Sequence, residues 1–220
     1  GDPPRHVSAP IVLDQGLRAQ AAMPLLRQAV EQPMRQRQAG QFEPHALYLA
    51  HLDDDAAPSI YIGSTDVDRY LPGFRAENDL VLNSAMFEAN APVVSAWIGN
   101  RTTALAHHDM SHNIACCLVG RRRFTLFPPE QIANLYPGPL EPTPGGQVVT
   151  MADIEAPDFE RFPKLRQALA GAQTAELEPG DALFYPALWW HQVSALDAFN
   201  VMVNYWWNTS PAYMDTPQNT

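Results

Sequence analysis

Ala104-Leu105-Ala106-His107-His108-Asp109-Met110-Ser111-His112-Asn113-Ile114-Ala115-Cys116-Cys117-Leu118-Val119-Gly120 is the stretch whose reading decides the fold. Three of the seven histidines and one aspartate crowd into its six positions 107–112, and an apolar, β-type run ending in glycine follows. On a strand, residues i and i+2 share a face, so His107 and Asp109 point the same way while His108 points to the other side. An imidazole and a carboxylate are two of the three protein ligands of the facial arrangement typical of non-haem Fe(II). The third has to come from elsewhere in the chain.

The best candidate is His191, which closes the segment Glu178-Pro179-Gly180-Asp181-Ala182-Leu183-Phe184-Tyr185-Pro186-Ala187-Leu188-Trp189-Trp190-His191. A turn at Pro179-Gly180 leads into an apolar strand, and an imidazole directly after so apolar a run is expected to be buried or half-buried. Taken alone, such a histidine is more often a satisfied core residue than a ligand. The spacing changes that. Gly180, five residues, Pro186, four residues and His191 match the second cupin motif, with Leu188 where that motif usually has Gly and Ala195 where it often has Asn. The first cupin motif is present as His107-x-Asp109, three residues, Asn113, six residues, Gly120. Here Asp109 replaces its second His and Asn113 its Glu. Asp for His is the substitution that distinguishes the 2-oxoglutarate oxygenases.

The stretch from Ala104 to Pro129, joined to Phe184–Val193 and Val201–Trp207, resembles the JmjC-type, cupin-like Fe(II)/2-oxoglutarate oxygenases related to the asparaginyl hydroxylase that inhibits hypoxia-inducible factor. The resemblance covers about residues 59–129 and 176–208. It implies an all-β core, a double-stranded β-helix of the cupin or jelly-roll kind, with N-terminal helices and a helical insertion. It also implies that His107, Asp109 and His191 hold catalytic Fe(II), with 2-oxoglutarate and O2 as co-substrates. The family binds the distal carboxylate of 2-oxoglutarate through a lysine fifteen residues after the first ligand, where this chain has Arg122. A guanidinium can take a carboxylate bidentately, with a longer reach and a stricter fork geometry. Asn113, Asn204 and Tyr61 match residues lining the family's co-substrate pocket. The family's threonine three residues before the first ligand is replaced by Ala104, and Thr103 is the candidate substitute one place away.

The rest of the chain fits around this core. Short β-type runs, SIYIG from Ser59, VVSAWIG from Val93, NIACCLVG from Asn113, RRFTLF from Arg122, ALFYP from Ala182 and FNVMVNYWW from Phe199, alternate with Gly, Pro and Asn. Residues 1–58 form an N-terminal, mainly helical segment expected to pack on the core, with helices within 13–38, broken at Pro24 or Pro33, and at 44–52. The core spans 59–208 with a Pro- and Gly-rich insertion at 130–175, in which one helix is expected over 162–169, and 209–220 is a tail.

Apolar residues at 46% and charged residues at 17% describe a globular chain rather than a disordered one. Fourteen Lys+Arg against 24 Asp+Glu give a net charge of −10, which repels phosphate backbones and makes nucleic acid an unexpected partner. Arg121-Arg122-Arg123 is the one cationic run, either a local anion site or a solvated turn. Cys116 and Cys117, adjacent on a strand, point to opposite faces and are hard to bridge, which suits a reducing, cytoplasmic setting. No apolar run reaches the roughly 18 residues needed to span a bilayer, so no membrane is expected. Residues 210–220 are too short and polar to show a dimerising helix pair, which leaves a homodimer open.

Two other readings compete. His108-Asp109-x-x-His112 mimics the helical zinc motif of metalloproteases with Asp for Glu, and would make a hydrolase. A cupin that binds metal or a small anion without oxidising anything is the other. Within the oxygenase reading, a protein or peptide side chain is the leading substrate and a small metabolite the runner-up.

Overall fold

The computed structural model describes residues 59–82, 85–139 and 146–209, together with the backbone of 11–12. Runs of β-branched and aromatic residues too short for helix give short strands, and these pair antiparallel into two sheets. In chain order the strands are β1 (Ile11–Val12), β2 (Tyr61–Asp66), β3 (Val93–Gly99), β4 (Thr103–His108), β5 (His112–Val119), β6 (Arg122–Phe127), β7 (Gln173–Leu177), β8 (Asp181–Tyr185), β9 (Trp190–Ala195) and β10 (Asn200–Trp207). One sheet has the order β1-β8-β5-β10-β3-β2 and the other β4-β9-β6-β7. Consecutive strands from β3 to β6 alternate between the sheets, as do β8 to β10, so the chain winds around one interior as a double-stranded β-helix.

Alternation along each strand sorts the side chains into three cores. Between the sheets lie Ala115, Cys117, Phe124, Leu126, Leu177, Leu183, Tyr185, Val193 and Met202. The outer face of the larger sheet, with Val94, Ile98, Cys116 and Val203, is covered by Val67, Leu71 and Phe74 from two short helices, α1 (Val67–Tyr70) and α2 (Phe74–Asn78). A third short helix, α3, spans Ala85–Ala89. Outside the smaller sheet, Ala106, Phe127 and Trp190 pack against Leu135, Val148, Ile154, Phe162 and Leu165 from the insertion. The insertion begins with a 3-10 turn at Pro129–Asn134 and carries α4 at Leu165–Ala170, three residues later in its start than the sequence suggests. Cys116 and Cys117 are free thiols in different cores, and burial pushes both up to about 12, so neither is a nucleophile at neutral pH.

Gly120 makes the turn from β5 to β6 possible. Its φ is +70°, and a Cβ there would collide with the Phe199 carbonyl and the Asn200 amide. The tight return starts β6 at Arg122 with its side chain directed inward. The helices expected at 13–38 and 44–52 lie outside the described residues. Among the described residues no helix is long and apolar enough to cross a membrane.

Candidate metal centre

Two neighbouring strands of the smaller sheet bring the ligands together. β4 and β9 are antiparallel, and His107 stands directly opposite His191 across the ladder, with ring centroids 4.3 Å apart. The pairing slips between Ala104 and His107: Ala104 faces Val193 and His107 faces His191, three steps on one strand against two on the other. This bulge turns both Ala104 and His107 inward, although an odd separation would put them on opposite faces of a regular strand. Asp109, just past the strand end, follows His107 onto the same side. Donor atoms of His107, Asp109 and His191 all lie within 4.8 Å of one another.

Asp109 and His191 are buried and His107 is half-buried. Each imidazole spends one nitrogen on a backbone carbonyl: His107 Nδ1 donates to Leu105 O at 2.7 Å and His191 Nδ1 to Trp189 O at 3.0 Å. A carbonyl only accepts, so these nitrogens carry the hydrogens, which leaves Nε2 of each ring to face the site. Burial, reinforced by the nearby His191, lowers His107 to about 4, which keeps it unprotonated at neutral pH. Burial alone would push Asp109 up. The hydrogen bond and charge of His191, the charge of His107 and a hydrogen bond from Gln147 outweigh it and hold the carboxyl at about 2. Asp109 Oδ2 and His191 Nε2 face each other at 3.5 Å, so either a proton held between them or a cation in its place satisfies the carboxylate.

Deeper in the interior, Asn204 Nδ2 donates to Asn113 Oδ1 at 2.6 Å, and Asn113 Nδ2 donates to the Tyr185 hydroxyl at 2.6 Å. Tyr185 packs its ring 4.6 Å from that of His191, and burial with the Asp109 charge raises its pKa well above the usual value, so it stays a neutral phenol. Arg122 is 2% exposed, and its guanidinium donates to Trp97 O at 3.3 Å. Tyr61 hydrogen-bonds Arg122: burial raises the phenol while the guanidinium pulls it down, and the charge of Asp109 reaches it as well. Arg122 and Tyr61, from β6 and β2, thus meet in space. Trp97, whose ring lies 5.8 Å from that of Tyr61, has a buried indole N–H without a hydrogen-bond partner. A buried guanidinium, a phenol and an orphaned indole donor, together with a candidate cation site, are the groups that a small dicarboxylate chelating a metal requires.

Thr103 is not brought to the site. It is exposed, and its hydroxyl donates outward to Ser194 Oγ at 3.3 Å, while Ala104 packs against the interior. The cationic run divides: Arg121 pairs with Asp197 and Arg123 with Glu176 on the surface, and Arg122 alone turns inward. Trp189 packs in the interior and Trp190 behind the smaller sheet against His108. The helical zinc reading fails, because His108 ends β4 and His112 opens β5. His112 instead accepts Ala187 N at 3.3 Å and packs near Phe184 and Trp207. Gln147, Trp97 and Tyr185 carry no motif that marks them in the sequence. Only Tyr185 has a usable signal there, two positions from Leu183 on the face that leads to His191.

The family description "Cupin-like domain" matches residues 19–213. The chain belongs to this family. Among curated proteins it is 28% identical over 183 residues to Lysine-specific demethylase JMJ31 of Arabidopsis thaliana, an alignment covering 80% of this chain and 31% of the relative. It is 37% identical over 123 residues to human (Homo sapiens) HSPB1-associated protein 1, covering 53% of this chain and 24% of the relative. The tRNA wybutosine-synthesizing protein 5 of Danio rerio is 32% identical over 129 residues, covering 59% and 34%. The chain spans about a quarter to a third of the length of these relatives. The JmjC-type, cupin-like resemblance drawn from the motifs is borne out.

Proposed function

We propose that this domain hydroxylates a C–H bond on a protein or peptide side chain, using Fe(II), 2-oxoglutarate and O2. The observation that carries the reading is the His107, Asp109, His191 donor set, with both imidazoles tied back through Nδ1 and turned toward one point. When bound, iron with 2-oxoglutarate and O2 supplies the oxidant, the keto acid leaving as succinate and CO2 while the substrate gains a hydroxyl. The protein's own contribution is binding and orientation. Arg122 and Tyr61 receive the distal carboxylate of the keto acid, and the Trp97 indole N–H offers it a further donor. The Asn204–Asn113–Tyr185 chain fixes the polar wall between that anchor and His191. Trp189, Phe124 and Leu126 keep the interior dry around them.

Leu188 supports the choice of a polymer substrate. Its amide donates to Asp109 O at 2.8 Å, and its apolar side chain, 43% exposed, stands at the rim of the metal site. An open apolar rim accepts a side chain presented by a longer chain. One relative is named for tRNA, but the charge of −10 on this chain weighs against a phosphate polymer. Buried, unbridged Cys116 and Cys117 suit a reducing, cytoplasmic setting.

The test is incubation with Fe(II), 2-oxoglutarate and air, against a peptide library and separately against a metabolite extract. Expected are succinate and peptides carrying one added oxygen atom by mass spectrometry. Added oxygen confined to metabolites would overturn the substrate class. Absence of succinate in both mixtures, with metal bound, would overturn turnover itself and favour a metal-binding cupin.

A further inference from the structure

The two carboxylate oxygens of Asp109 are treated differently. Oδ2 faces His191 Nε2 at 3.5 Å, whereas Oδ1 accepts a hydrogen bond from Gln147 Nε2 at 3.2 Å. Gln147 lies 38 residues downstream, within the insertion, and the backbone delivers it. Val149 forms an antiparallel bridge with His107, and Thr150 N donates to Ala106 O at 2.8 Å, so residues 147–150 run beside the strand that carries the first ligand. The Thr150 hydroxyl donates to Leu135 O, and Val148 packs among Phe127, Leu135 and Trp190. The three residues that follow Gln147 thereby tie it to β4 and to the cover of the smaller sheet.

We infer that Gln147 is a positioning residue that makes Asp109 a one-oxygen ligand. The inference rests on reading His107, Asp109 and His191 as the metal ligands. A carboxylate free to rotate can bind a cation through both oxygens and so occupy a coordination position that a chelating keto acid or O2 requires. With Oδ1 held by the Gln147 amide, only Oδ2 is directed at the imidazoles. The same hydrogen bond fixes the rotation of the carboxylate before metal arrives, which favours binding by reducing the ordering that binding must supply. The insertion is then part of the metal centre and not only a cover for the smaller sheet.

Gln147→Met keeps the length of the side chain and removes the N–H donor, and Gln147→Ala removes both. Co(II) serves as the probe, because its visible spectrum reports coordination number without turnover. For both variants we expect Co(II) affinity by calorimetry to fall about tenfold, the scale of a lost outer-sphere partner. The visible bands should shift, and the metal-free melting temperature should stay within about 2 °C of wild type. Wild-type affinity and an unchanged spectrum in Gln147→Met would overturn the inference, as would a large loss of melting temperature with the spectrum intact, which marks a merely structural tether. Asp109→Ala separates the two levels: if that variant binds Co(II) like wild type, the ligand assignment fails and not only the role of Gln147.

Discussion

The two ends of the interior are built by different rules. At the metal end, two imidazoles and a carboxylate come from adjacent strand ends of one sheet, and each is held by a further hydrogen bond to a backbone carbonyl or to an amide. At the other end Arg122 with Tyr61 and Asn113 with Asn204 come from four strands in two sheets, and their contacts extend to Trp97 and Tyr185. The first arrangement follows from local spacing plus one ladder register. The second requires the whole sandwich to be closed. Metal binding should therefore collapse on a single substitution, whereas co-substrate binding should degrade by degrees.

The sharpest way to break the contrast is Asp109→Ala. Removing the one anionic ligand should weaken Mn(II) or Co(II) binding more than about 100-fold, beyond the range of outer-sphere losses, and abolish succinate formation. Circular dichroism should show the β-fold retained. A variant that still binds metal within tenfold of wild type, about 1.4 kcal/mol, would place the ligands elsewhere.

Arg122→Met tests the other end. Losing a charge-assisted hydrogen bond to a carboxylate costs about 1.5–3 kcal/mol, so the 2-oxoglutarate requirement should rise roughly 10- to 150-fold while Mn(II) affinity stays put. Arg122→Lys should recover part of the loss. An unchanged keto-acid requirement would assign the distal carboxylate to Trp97 and Tyr61 without help from the guanidinium.

What is legible in the sequence divides along the same line. His107 and Asp109 share a face because strand side chains alternate, and the Gly180-Pro186-His191 spacing points to the third ligand with no knowledge of the register. The β-runs at 93–99, 122–127 and 199–207 announce themselves by composition. Thr103 cannot be judged that way, because a bulge between Ala104 and His107 decides which of the two neighbours turns inward, and no residue type marks it. Gln147 is invisible for a different reason: its role arises from a bridge between Val149 and His107, a contact across 42 positions. The helices at 67–70, 74–78 and 85–89 are too short to show helical periodicity.

Leu188 brings backbone strain to the metal end. It holds φ at +66°, a conformation that costs an L residue roughly 1–2 kcal/mol, on the loop whose amide ties down Asp109. Glycine relieves that strain but adds about 0.4–1 kcal/mol of unfolded-chain entropy. Leu188→Gly should thus raise the melting temperature by about 1–4 °C while lowering peptide turnover through loss of the apolar rim. Equal turnover would remove Leu188 from the substrate surface, and a lowered melting temperature would show that the metal end stores no strain there.

The smallest effect belongs to Arg121, next in sequence to Arg122 and opposite to it in every physical respect. Its guanidinium donates to Asp197 at 2.9 Å and 3.1 Å, with the side chains 50% and 37% exposed. The hydrogen bonds and charge of Arg121 lower the Asp197 carboxyl below its ordinary value. A carboxyl lowered in the folded state contributes stability above its unfolded pKa, near about 3.9, and that contribution is lost as pH falls through the folded value. Arg121→Ala should therefore lower the melting temperature by no more than about a degree or two at pH 7. The difference should fade as pH falls below the ordinary aspartate range, and in salt near about 1 M, where the screening length is about 3 Å. The keto-acid requirement should not move. If it rose as in Arg122→Met, the arginine run would be acting as one anion site, and the division between buried anchor and surface pair would fail.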